Sequence, residues 1–116
     1  MMMKTTFLLL GFVFLSIGSS AAQTTPKIST VSIQTSGNCQ ECKARIEGSL
    51  KSLRGVKAAA FDMNTKKVDV TFATKKVDAA AIRQAISKAG YDADDVKADQ
   101  EAYDSLRKCC RKGGHD

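Results

Sequence analysis

The sequence predicts an α+β fold: a ferredoxin-like βαββαβ sandwich, with a four-stranded antiparallel sheet carrying two helices on one face. Three observations point there. Two stretches place apolar residues at helical spacing and each ends at a glycine; shorter stretches between them alternate as strands do; and their order is strand, helix, strand, strand, helix, strand. The chain has 116 residues, a formal net charge of +6, one proline, no tryptophan and four cysteines, which suits one small domain.

The chain begins outside that domain. Lys4 supplies a positive start, residues 7–15 are continuously apolar, and Ser20-Ala21-Ala22 offers the small residues of a cleavage site. Residues 1–22 therefore read as a secretory signal, lost on export across the inner membrane. The apolar run is too short to span a bilayer, so no stable membrane insertion is expected after cleavage. Residues 23–27, with Pro26, form a polar linker.

Residues 28–35 alternate, Val31 and Ile33 against Ser32 and Gln34, and read as a strand. Ser36-Gly37-Asn38 breaks it. Asn38 and Glu41 have the N-cap and N3 spacing of a capping box, which predicts a helix over 39–53 with Cys42, Ile46, Leu50 and Leu53 on one face. Gly55 ends it. Residues 56–63 and 68–72 alternate around a turn at 64–67 and predict an antiparallel hairpin. Asp78 caps a second helix through Ala89, with Ile82, Ala85, Ile86 and Ala89 inward, and Gly90 stops it. Residues 91–97 complete the pattern as a fourth strand. The tail, 98–116, carries a Cys-Cys pair and helix-forming sequence over 99–112.

The chemistry lies in Cys39 and Cys42. A thiolate is a soft ligand, and a helix N-terminus aims free backbone N–H groups and the positive dipole end at it, favouring deprotonation. Two thiolates do not complete a structural zinc site, which takes four ligands, so Zn(II) is less suited than Cu(I) or Hg(II). The same Cys-x-x-Cys spacing serves thiol–disulfide oxidoreductases, with Cys39 as nucleophile and Cys42 as resolving thiol. It could also be an inert disulfide. The one proline, Pro26, leaves no counterpart for the cis-proline that faces thioredoxin-type sites. The metal reading needs no catalytic residue, and the basic residues are interspersed with acids in a chain poor in aromatics, which argues against nucleic acid.

Residues 28–97 resemble a heavy-metal-associated domain, the module of copper chaperones, metal-ATPase N-terminal domains and the periplasmic mercury-binding protein. The matching residues are Cys39-Gln40-Glu41-Cys42, Ile46, Leu50, Gly55-Val56, Asn64-Thr65-Lys66-Lys67-Val68, Val70, Ile82, Ile86 and Lys88-Ala89-Gly90-Tyr91-Asp92. The resemblance implies that Cys39 and Cys42 are metal ligands and that Tyr91 lies in a loop beside them. It also implies a periplasmic location and, as partner, a metal-transporting membrane protein or another metal-binding domain. The metal-free chain is expected to be a monomer. One departure stands out: the methionine usual two residues before the first ligand is Gly37 here, which predicts a looser ligand loop.

Outside the resemblance, Cys109, Cys110 and His115 have two readings. They form an auxiliary soft-metal site or complete coordination at Cys39 and Cys42; or the tail merely oxidises or packs. Lys43, Lys51 and Arg54 likewise either dock an acidic partner face or form a solvated helix flank.

Overall fold

A computed structural model describes residues 27–112; the expected signal, residues 1–22, and His115 lie outside them. Strand alternation sets which side of the sheet becomes core. In β1 (Ile28–Gln34) Ile33 is buried between exposed Ser32 and Gln34. In β2 (Val56–Phe61) Ala59 and Phe61 point inward, and in β3 (Lys67–Ala73) Val68, Val70 and Phe72 do so. The sheet order is β1-β3-β2, antiparallel throughout. On the middle strand Val70 lies between Val31 and Ala59, and Val68 between Ile33 and Phe61, so the apolar rows align across all three strands.

Two helices cover that row. α1 (Gln40–Lys51) buries Cys42, Ile46 and Leu50, four residues apart, and α2 (Ala79–Lys88) buries Ile82 and Ile86. Asp78 caps α2 as its sequence predicts, its carboxylate accepting from the Ala81 N–H at 2.8 Å. Gly55 and Gly90, at φ +98° and +106°, follow the helix ends in the left-handed conformation that other residues adopt only with strain. Ile46, Leu50, Ile82 and Ile86 join the inward strand residues in one core, and among the described residues nothing covers the sheet's other face. Each such side chain contributes about 1.5–3 kcal/mol by leaving water. Among the described residues no helix is long and apolar enough to cross a membrane.

Among the described residues the expected fourth strand is not formed, and the sheet has three strands. Residues 91–97 touch β1 only at its end, where Ala93 bridges Thr35 and the Asp94 N–H donates to the Gln34 carbonyl. The chain then turns on itself: Ala93 and Val96 exchange backbone hydrogen bonds of 2.8 and 2.9 Å around Asp94, whose φ is +53°. Aspartates tolerate that conformation and are poor strand formers, so Asp94-Asp95 makes a turn where the order of elements alone asks for a strand.

The long helix expected over 99–112 is likewise cut short. α3 (Gln100–Asp104), capped by Asp99, is followed by a 3₁₀ turn at Lys108–Cys110. The Arg111 guanidinium donates to the Leu106 and Asp104 carbonyls, satisfying groups the interrupted helix leaves open.

Candidate metal centre

Cys39 sits at the N-cap of α1 and Cys42 in its first turn. The Cys39 sulfur itself accepts the Cys42 N–H at 3.4 Å. This corrects the expected capping box, because Asn38 and Glu41 are engaged elsewhere. Asn38 donates its side-chain amide to the Arg111 carbonyl at 3.0 Å, and its Oδ1 accepts from the Cys42 thiol at 3.4 Å. Glu41 pairs with Arg45 at 3.2 Å and with Arg107 at 3.4 Å.

The loop before Cys39 is packed. A Cβ placed on Gly37 would lie 2.9 Å from Ile46 Cδ1 and 3.1 Å from the Phe61 ring, so these side chains occupy the room that a larger residue at 37 would need. Thr35 Oγ1 accepts the Gly37 N–H at 3.0 Å and donates to the Lys66 carbonyl at 3.0 Å. Ile46 and Phe61 thus fill the space beneath the loop.

The tail folds back over this loop. All four cysteines are free thiols. Cys39 Sγ lies 3.0 Å from Cys42 Sγ, 3.4 Å from Cys110 Sγ and 3.8 Å from Cys109 Sγ. The sulfurs of Cys39, Cys42 and Cys110 all lie within 4.8 Å of one another. Cys109 is half-buried, its sulfur 3.8 Å from those of Cys39 and Cys110, and it also groups with Glu41 and Cys110. Cys42 and Cys110 are buried, while Cys39 is partly open to solvent.

Burial pushes the Cys39 thiol up, but hydrogen bonds from the Cys42 side chain and amide, and from Cys110 and Cys109, outweigh it and hold Cys39 below its ordinary value. Cys110 moves the other way: burial raises it, and its hydrogen bonds to Cys42 and Cys39 add to the rise. Tyr91 is fully buried beside them. Its hydroxyl has no hydrogen-bond partner of good geometry, and burial, then the neighbouring Cys42 and Cys110, push its ionisation up. A buried phenol thus adjoins Cys42 and Cys110.

The tail is held by contacts that the sequence reading missed. Leu106 is buried against Gly90, whose absent side chain leaves it room. Arg107 pairs with Glu41, and Lys112 with Asp92 at 2.7 Å. The available signal was Leu106, three residues after Tyr103, with acids at positions 41 and 92 to receive the tail's basic residues. Of the expected flank cations, Lys43 is committed to Glu47 at 2.7 Å and the Phe61 carbonyl at 3.2 Å; Lys51 and Arg54 are exposed.

The heavy-metal-associated domain matches residues 38–92. The mercuric transport protein periplasmic component of Shewanella putrefaciens is 36% identical over 89 residues, which cover 77% of this chain and 93% of that protein. The chain belongs to the heavy-metal-associated domain family. Copper-transporting ATPase 2 of Rhizobium meliloti is 32% identical over 90 residues, 76% of this chain but 11% of the ATPase. This heavy-metal-associated chain thus spans about a tenth of the ATPase that it matches. Among solved structures, a CopZ metallochaperone superposes with a TM-score of 0.54 at 29% identity, covering 56% of this chain and 98% of that one. The chain shares with that neighbour the α+β fold described above.

Proposed function

We propose that this chain is an exported carrier or scavenger of a soft heavy-metal ion, Cu(I) or Hg(II), held by the thiolates of Cys39 and Cys42. The observation that carries the reading is the pair of sulfurs 3.0 Å apart at the N-cap and first turn of α1, in a heavy-metal-associated domain. Soft ions accept few thiolate ligands and exchange them stepwise, so the ion is cargo and passes to cysteines of a partner without a catalytic residue. That partner is a metal-transporting membrane protein or another metal-binding domain, met in the periplasm. Residues 28–97 form the metal domain and 98–116 its tail, and the metal-free chain is a monomer. Zn(II), which takes four ligands in structural sites, is the poorer fit.

The test is metal stoichiometry and affinity on the reduced protein with Cu(I), Hg(II) and Zn(II), comparing wild type with Cys39→Ser/Cys42→Ser. One soft ion per wild-type chain is expected, with affinity reduced by more than about 100-fold in the variant, since losing even an outer-shell partner costs about 10–100-fold. Equal affinity of the two proteins would end the proposal. Rapid catalytic reduction of a disulfide substrate by the wild type would point to the oxidoreductase instead.

A further inference from the structure

We infer that the tail supplies a third ligand, Cys110, so that a soft ion is bound by three sulfurs from two distant parts of the chain. This rests on the metal-binding reading above and specifies its site. Cys110 comes within 3.4 Å of Cys39, and the three sulfurs of Cys39, Cys42 and Cys110 lie within 4.8 Å of one another. An ion at the centre of a three-sulfur triangle, with bonds of about 2.3 Å, sets its sulfurs about 4 Å apart. The edges of 3.0 and 3.4 Å need to open by about 1 Å or less, a change within reach of cysteine side-chain rotation.

Two further observations agree. Cys110 is 1% exposed, and the segment that carries it is tied down on both sides of it. Arg107 pairs with Glu41 beside Cys42, Lys112 pairs with Asp92 beside Tyr91, and the Arg111 carbonyl accepts from Asn38 beside Cys39. The second observation is the buried Tyr91 hydroxyl, which has no partner of good geometry while Cys42 and Cys110 adjoin it. A buried polar group left unpaired is destabilising, and a metal thiolate at either position would accept its proton donor. Loading exchanges three S–H bonds for three metal–sulfur bonds and releases the protons to solvent. On the buried side of the trio, at Cys42 and Cys110, Tyr91 is the side chain placed to act as that donor.

Cys109 is not part of the trio. Its sulfur lies 3.8 Å from those of Cys39 and Cys110 but, unlike theirs, does not group with the buried Cys42 of the first turn of α1.

The experiment loads reduced full-length protein with one equivalent of Hg(II) and, separately, Cu(I), without added thiols. X-ray absorption counts the sulfurs bound to the ion, with affinities measured by competition and folding checked by circular dichroism. Three sulfurs are expected in wild type and in Cys109→Ser, and two in Cys110→Ser and in Cys109→Ser/Cys110→Ser, with affinity in Cys110→Ser lower by about 10-fold or more. Two sulfurs in wild type, or three retained in Cys110→Ser, would overturn the assignment while leaving binding by Cys39 and Cys42 intact. If wild type and Cys39→Ser/Cys42→Ser bind the ion alike, both this inference and the metal-binding reading fail.

Discussion

The two sides of the sulfur cluster are built differently. The loop carrying Cys39 and Cys42 is set into the domain: Gly37 is wedged against Ile46 and Phe61, and the first turn of α1 buries Cys42. The segment carrying Cys110 is laid onto the domain, by one buried leucine, two ion pairs with exposed basic partners and a few hydrogen bonds. An element built into a core shares the stability of the whole, whereas a docked segment can open alone. The contrast suggests a fixed pair of ligands and a third that can come and go.

That contrast is broken most forcefully from the core side. Ile46→Ala removes a fully buried side chain beneath Gly37 and is expected to lower global stability by about 2–5 kcal/mol, read as a fall in the denaturant midpoint. Leu106→Ala deletes a side chain almost as buried, yet it should leave the global midpoint nearly unchanged. Its effect should show instead as faster hydrogen exchange at the Leu106 and Cys110 amides. Equal midpoint shifts in the two variants would mean that the tail unfolds with the domain and is part of it.

The same division explains what the sequence could reveal. Local periodicity was sufficient for β1, β2, β3, α1 and α2, because Ile33, Val68, Val70, Ile46 and Ile82 bury themselves through patterns of two or four residues. It failed at 91–97, where counting elements outweighed the turn preference of Asp94-Asp95. The cap of α1 was misread because Asn38 is claimed by the carbonyl of Arg111, 73 residues away, a contact with no local signature. For the same reason spacing alone left the role of Cys110 open.

A smaller effect, of opposite sign in two measurements, is expected at Tyr91. Tyr91→Phe keeps the ring in the core and removes a hydroxyl that lacks a hydrogen-bond partner of good geometry. The reduced, metal-free protein should gain about 1 kcal/mol, the scale of an unsatisfied buried polar group. Its affinity for a soft ion should fall by about 10–100-fold, as when a group supporting a metal ligand is lost. Loss in both measurements would show that the hydroxyl is satisfied without metal.

The smallest effect separates the charges on the two sides. Glu47, on the core side, accepts from Lys43 at 2.7 Å and from the Phe61 N–H at 2.8 Å; burial raises its carboxyl, but these bonds outweigh it and hold it below the ordinary value. Asp92, on the tail side, is held low against burial by Lys112 and the Ala98 N–H. With folded values below the unfolded ones of about 4.3 and 3.9, both carboxylates stabilise the protein above about pH 4, and that contribution is lost as pH falls through the folded values. Acid should therefore weaken both sides, whereas salt should separate them. The side chains of Lys112 and Arg107 are 55% and 72% exposed, so raising NaCl from about 0.05 to 1 M should make tail opening easier by at most about 1 kcal/mol. Glu47 keeps its backbone bond in salt, so exchange at Ile46 should not follow. Parallel salt dependence at Ile46 and Cys110 would show that the ion pairs are not what holds the tail, and that Leu106 alone docks it.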